Sequence, residues 1–271
     1  MTEAIAKLLD QVRAAKPLVH HITNYVTVND CANAALEIGA SPVMADDIDE
    51  AADIASISDA LVLNMGTLNE RTVTSMIAAG KSANAAGVPI VFDPVGAGAS
   101  GFRDRTAAKM LNEVKISVLR GNISEIRSVS GLAAETKGVD ASGTDIARAK
   151  EAGFTALELA RKLGIVVVIS GAEDVISDGN NIVYIQNGHP LLGGQTGTGC
   201  MCSTLIGAFC GTARDRPFTA AAAGMLCMGV AGEMAFLNAK PGNGSFRAAL
   251  HDALSRLSAD NILKMAKIRE A

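Results

Sequence analysis

The strongest constraint on this chain is a repeated alternation of short β-branched runs with longer helical patterns. Residues 41–44, 60–66, 88–94, 115–122 and 164–171 read as strands, while residues 47–58, 69–87, 103–114 and 123–131, and a stretch from about Thr144 to Leu163, read as helices between them. Repeated strand–helix–strand units with apolar strands imply a parallel sheet covered on both faces. The expected fold class is therefore α/β, a three-layer α/β/α arrangement around a central, mostly parallel sheet. An amphipathic helix is expected at the N-terminus, over residues 1–16.

The rhythm breaks at residues 174–188, where two strand-like segments flank a turn of Asp, Gly and Asn, the signature of an antiparallel hairpin toward a sheet edge. Beyond it Gly199 to Cys210, Phe218 to Leu237, Ser245 to Leu257 and Asn261 to Arg269 carry helical patterns, so a helical C-terminal layer is expected. No repeat, low-complexity tract or linker divides the 271 residues, which read as one domain over 1–271.

The apolar fraction is 49% and Trp is absent, so the core must be aliphatic. Net charge is −4 with no basic stripe, which argues against nucleic acid and for a small-molecule partner. Five cysteines, an odd number without zinc-site spacing, and an N-terminus lacking the apolar centre of a signal peptide suggest reduced thiols and a cytoplasmic location. The uncharged stretch Pro190 to Ala213 is long enough for a membrane span, but its many glycines read as a loop feeding a buried helix; no membrane role is expected.

In open parallel sheets ligands bind beyond the carboxyl ends of the strands. Those ends here carry Asn64-Met-Gly66, Asp93-Pro-Val-Gly-Ala-Gly98, Arg120-Gly-Asn-Ile-Ser-Glu125 and Ser170-Gly-Ala-Glu-Asp174. Two glycine patterns mislead. Gly80-Lys81-Ser82 lacks the glycine a P-loop needs at position 75, which is Ser75, and falls in a helix pattern. Gly96-x-Gly98-x-x-Gly101 resembles a dinucleotide fingerprint, but Pro94 interrupts its turn and the next strand ends in Arg120 and Asn122 rather than a ribose-binding acid.

The run from Gly193 to Cys200 is more informative. Its glycines and hydroxyl residues enter an apolar helix near Met201, where converging amides and a helix start favour an anion such as a transferred phosphoryl group. Asp93 alone is an ordinary turn former before proline, and Glu125 alone a first-turn helix acid. Both at strand ends beside Arg120 and the Gly197–Gly199 run suit phosphoryl transfer, which needs charge neutralisation and an oxygen-liganded magnesium.

Gly197-Thr-Gly-Cys200 before a helix, Asn122-Ile-Ser-Glu125 after a strand, Asp93-Pro-Val-Gly-Ala-Gly, His21-Ile-Thr-Asn24-Tyr-Val and Gly39-Ala-Ser-Pro-Val-Met44 together resemble hydroxyethylthiazole kinases, members of the ribokinase-like superfamily. The resemblance runs from about residue 16 through the segment Gly244 to Leu254. It implies a ribokinase-like fold and ATP-dependent phosphorylation of 4-methyl-5-(2-hydroxyethyl)thiazole for thiamine synthesis, with Mg2+ and a homotrimer whose active sites lie between subunits. Carried over by motif, Cys200 with Gly197, Thr198 and Gly199 are the catalytic candidates. Met44, Gly197, Asn24 and Gly66 are the substrate candidates; Arg120, Ser170 and Gly171 are the ATP candidates. Glu125, Asp93 and Asn122 are the metal candidates, partly through water.

Cys200 departs from the wider superfamily, which has an aspartate base there, and matches the thiazole kinases. It can accept the substrate proton or only position the hydroxyl, and the sequence leaves both readings open. Cys31, Cys202, Cys210 and Cys227 read as small core residues, and the Met residues of 224–236 as packing. His20 and His21 point to opposite sides of an extended segment and read as structural. The rival readings are another ribokinase-like kinase acting on a sugar, nucleoside or hydroxymethylpyrimidine; an ATP- or ADP-dependent dehydratase of hydrated nicotinamide cofactors; and a nucleotide-binding regulator.

Overall fold

The computed structural model describes residues 1–131, 145–238 and 242–271. One nine-stranded sheet runs through it in the order β2-β1-β3-β4-β5-β6-β7-β8-β9. The strands are β1 (Leu18–Ile22), β2 (Ser41–Val43), β3 (Ala60–Asn64), β4 (Ile90–Asp93), β5 (Val118–Asn122), β6 (Val166–Ser170), β7 (Asp174–Ser177), β8 (Ile182–Ile185) and β9 (Ile268–Glu270). Pairing is parallel from β2 across to β6, then antiparallel through β7, β8 and β9.

Successive strand residues point to opposite faces, and the core divides accordingly. Ala60, Val62, Val91, Val118, Val166 and Val168 join one cluster, with residues of α1 (Thr2–Ala15), α2 (Val28–Ile38), α8 (Thr198–Thr212), α9 (Pro217–Asn238), α10 (Asn243–Arg256) and α11 (Ala259–Met265). Leu61, Leu63, Ile90, Phe92, Leu119, Val167 and Ile169 join the other, under α3 (Ala51–Ile57), α4 (Glu70–Ala85), α5 (Gly101–Glu113), α6 (Ile123–Ser130) and α7 (Asp145–Leu163). Both faces are dry, which is why the strands read as unbroken apolar runs.

The expected alternation is borne out, including the antiparallel hairpin β7–β8. Thr144, named as the start of the long helix, lies outside the described residues; the helix runs from Asp145. The C-terminal expectation needs one correction. Helix α11 stops at Met265, and Ile268–Glu270 leaves it to pair with β8. An Asn187 Oδ1 acceptor for the Lys267 amide and the Arg269 guanidinium over the Tyr184 ring fix this edge strand, and neither partner is visible in local helical periodicity. The sequence patterns also passed over α2 as an element.

Residues 190–213 form a short 3-10 turn, a glycine-rich loop and the helix α8, whose residues Met201–Cys210 are all buried. Among the described residues one helix, α9, is long and apolar enough to cross a membrane; 78% of its apolar window is packed inside the protein. It lies against α8, α10 and the strands β6 to β8.

Candidate active site

The alternation that sorts the core also builds the site. Asn64, Asp93, Arg120 and Ser170 stand at or near the carboxyl ends of β3, β4, β5 and β6, each in phase with the valines its own strand gives to the core cluster that includes α8 and α9. Parallel register sets Asn64 beside Asp93. Four polar side chains thus converge on the first turn of α8, where helix geometry leaves the amides of Thr198, Gly199 and Cys200 without a carbonyl one turn back.

Gly197 opens that helix at φ 97°, a left-handed conformation, where a β-carbon would lie 2.9 Å from Thr27 Cγ2. Gly199 is required by close approach, since a β-carbon there would lie 2.7 Å from Arg120 Nη1. The Thr198 hydroxyl donates to the carbonyl of Leu192 at 2.9 Å and so closes the glycine loop. Gly197, Thr198 and Gly199 therefore shape the helix entrance through backbone and space rather than reactive groups.

Asp93 is fully buried and one of its oxygens carries all its contacts. Oδ2 accepts from Ser203 Oγ at 2.7 Å and Asn64 Nδ2 at 3.1 Å, with Arg120 Nη1 at 3.6 Å, while Oδ1 has no partner among the described residues. Burial pushes its pKa up to about 6, against the pull of Arg120 and the two hydrogen bonds. Burial also works against the Arg120 charge, yet Asp93 and neighbouring acids hold its pKa above the ordinary arginine value. Arg120 Nη2 donates to Ser170 Oγ at 3.0 Å, which leads from the buried acid to the cavity.

That cavity holds about 440 Å³ and is lined by Arg120, Ser170, Gly171, Asp174, His189, Thr198, Gly199 and Met225, among others. Burial pushes the Asp174 carboxyl up to about 7, with the Gly171 amide, which it accepts at 2.9 Å, pulling the other way. Asp174 closes one of the strand-end segments read from the sequence but was given no role there, and Ser203 was not singled out. The signal for Ser203 is its place one turn along α8 from Cys200, on the face toward β4.

Cys200 lies on the other side of the helix entrance and does not line this cavity. Its sulfur accepts from Asn24 Nδ2 and Asn64 Nδ2, each at 3.3 Å. Asn64 was also missed as a site residue, although it ends its strand as Asp93 ends the next. Gly66 follows it closely: its amide donates to Asn64 Oδ1 at 2.9 Å, and a β-carbon there would strike Asn24. Arg103 from α5 donates to the carbonyls of Met65, Gly66 and Val95, tying the loops after β3 and β4 together. Met44 stands apart, in a smaller cleft of about 270 Å³ with His21, Tyr25, Val28, Asp46 and Arg71.

Glu125 and Asn122 form a reciprocal cap at the start of α6. Asn122 Oδ1 accepts from the Glu125 amide at 3.0 Å, and Glu125 Oε2 accepts from the Asn122 amide at 2.9 Å. Glu125 Oε1 accepts from Gly96 at 2.9 Å, which holds the glycine turn after β4. Gly96 and Gly98 sit at positive φ, with Gly98 donating to Asp104, so the apparent dinucleotide fingerprint satisfies its amides with the protein's own carboxylates. Among the described residues no three His, Cys, Asp or Glu side chains gather to cage a metal. The unpartnered Asp93 Oδ1 and the Glu125 carboxylate fit an ion that keeps most of its waters and phosphate ligands, as magnesium does.

The structural readings of the remaining candidates hold. Burial lowers the pKa of His21 to about 4, and its ring contacts the Val19 carbonyl at 3.0 Å and the Thr204 hydroxyl at 3.1 Å; His20 reaches the Ala45 carbonyl at 2.7 Å. Cys31, Cys202, Cys210 and Cys227 are free and buried, and burial raises each thiol, to about 12 for the first three. Gly80 packs inside α4 against Val114.

A sequence profile described as the hydroxyethylthiazole kinase family matches residues 9–260. A hydroxyethylthiazole kinase of Clostridium beijerinckii is 58% identical, covering 98% of this chain and 97% of its own length. One from Ruminiclostridium cellulolyticum is 55% identical over 99% of this chain and 98% of its own. The solved hydroxyethylthiazole kinase of Pyrococcus horikoshii superposes with a TM-score of 0.90 at 40% identity, covering 99% of each chain. Staphylococcus aureus pyridoxal kinase shares the fold, with a TM-score of 0.63 at 16% identity over 94% of this chain and 98% of that one.

Proposed function

Because the chain belongs to the hydroxyethylthiazole kinase family, we propose that it transfers the γ-phosphoryl group of ATP to the primary alcohol of 4-methyl-5-(2-hydroxyethyl)thiazole. The observation that carries this reading is the unbroken polar path from the Cys200 sulfur through Asn64, Asp93 and Arg120 to Ser170 at the rim of a cavity of about 440 Å³. We read residues 1–271 as one kinase domain acting in thiamine synthesis, in the cytoplasm.

ATP occupies the cavity with its phosphates toward Arg120, Ser170, Gly171 and the opening amides of α8. The alcohol oxygen bonds to the γ-phosphorus as the bond to the β–γ bridging oxygen breaks, releasing ADP. Arg120 and the amides of Thr198 and Gly199 neutralise the equatorial oxygens, and Cys200 receives or orients the hydroxyl proton. Asp93, Glu125 and Asn122 are the residues that would hold Mg2+, partly through water, and the ion would supply further charge neutralisation on the phosphates.

The thiazole side rests on Met44, Asn24, Gly66 and Gly197. Met44 lines a cleft that Cys200 does not, and Tyr25 in that cleft and Val26 next to it are 79% and 58% exposed. Both facts support a homotrimer in which one copy's Met44 cleft is completed by another copy. An assay coupling ADP release to the thiazole alcohol, with the phosphorylated product identified by mass, tests the reading. Turnover favouring the thiazole over hydroxymethylpyrimidine, pyridoxal and sugars by orders of magnitude is expected. Preference for a sugar, or ATP consumed without a phosphorylated alcohol, would defeat it.

A further inference from the structure

We propose that Asn64 is a positioning residue for the transfer step: its single NH2 group holds the Cys200 sulfur and the Asp93 carboxylate in register. The inference rests on the kinase reading for what Cys200 and Asp93 do. Asn64 is 2% exposed and every polar position on its side chain is taken. Nδ2 donates to Asp93 Oδ2 at 3.1 Å and to Cys200 Sγ at 3.3 Å, while Oδ1 accepts from the Gly66 amide at 2.9 Å and from Asn24 Nδ2 at 3.0 Å.

The carboxamide has only one workable orientation. Turned over, it would set NH2 against the Gly66 amide and its oxygen against a carboxylate, losing both bonds. Asn24 is fixed the same way, since its Oδ1 accepts from the amide and the hydroxyl of Thr27. Two amide donors of settled direction therefore converge on one sulfur, and one of them also grips the acid behind it.

A plainer role exists for half of this residue. The Gly66 bond is an Asx turn, which any short side chain bearing an acceptor oxygen provides. That turn does not require an NH2 group, and a carboxylate in its place would set a second negative charge against Asp93. The donor half is thus the part that turn-forming leaves unexplained, and it joins the two groups that flank the reacting atoms. Parallel register places Asn64 and Asp93 side by side, so the bridge is anchored in the sheet rather than in a loop.

Asn64→Ser separates the two roles, because serine keeps a turn acceptor and loses the NH2. With ATP and the thiazole alcohol, kcat is expected to fall about thirtyfold while KM for each substrate moves less than about threefold. In the Cys200→Ala background the same change should cost at least about fivefold less, since one of its two partners is already gone. Labelling by iodoacetamide reports folding independently: Cys31, Cys210 and Cys227 are buried and line neither the nucleotide-side cavity nor the Met44 cleft, so a folded chain leaves all three unlabelled. Should the serine variant label at any of those three, the same comparison passes to Asn64→Thr, which also keeps a hydroxyl acceptor for the turn and adds no charge beside Asp93. Unchanged kcat in a folded variant, or equal losses in both backgrounds, would overturn the inference alone. Wild-type protein that phosphorylates no thiazole alcohol would overturn the kinase reading beneath it.

Discussion

The cavity at the start of α8 and the Met44 cleft are built differently. The nucleotide-side cavity is walled on several sides by one chain, with Arg120 locked between Asp93 and Ser170. The Met44 cleft is smaller, about 270 Å³, and opens beside the exposed Tyr25. Phosphates demand fixed charges at fixed places, which the rigid ends of a parallel sheet provide; a small apolar ring demands mainly enclosure, which a second copy of the chain can supply.

Arg120→Ala should break the comparison most severely. It leaves Asp93 buried without its cation, so about 3–5 kcal/mol of stability should be lost in urea unfolding, and kcat should fall by at least about a hundredfold. Full activity in that variant would remove the nucleotide side from the account. Gly199→Ala should be milder, with a β-carbon pushing against the guanidinium. A rise of about tenfold in KM for ATP is expected, with KM for the thiazole unmoved. Met44→Ala should give the mirror image, raising KM for the thiazole about fivefold and leaving that for ATP alone. If both variants shift the same constant, the two hollows are not separate subsites.

A test of stability rather than turnover concerns the wall shared by the cleft and α8. The His21 pKa of about 4 lies below its ordinary 6.5, so its stabilising share is complete above pH 6.5 and is lost as pH falls toward 4. Relative to His21→Gln, wild-type protein should lose about 3 kcal/mol between pH 7 and pH 4, read from urea midpoints. A constant difference across that range would contradict the buried neutral ring.

Much of this was legible in the strands. Val62 and Asn64, or Val91 and Asp93, are two residues apart, so a strand that buries the first against α8 must aim the second at the same helix. The glycines at 197 and 199 announced the helix entrance for an equally local reason. What escaped were relations across the chain. Ser203 meets Asp93 only because α8 crosses β4, and Asn64 meets Cys200 only because β3 lies under the helix start. The edge strand β9 was hidden in a helix-like tail because its partner, β8, lies far back in the sequence.

The most direct test is a crystal structure with a non-hydrolysable ATP analogue and the thiazole alcohol bound together. The terminal phosphate should rest between Arg120 and the opening amides of α8, with the alcohol oxygen turned toward Cys200. A phosphate lodged away from that turn, or a nucleotide seated in the Met44 cleft, would contradict the account.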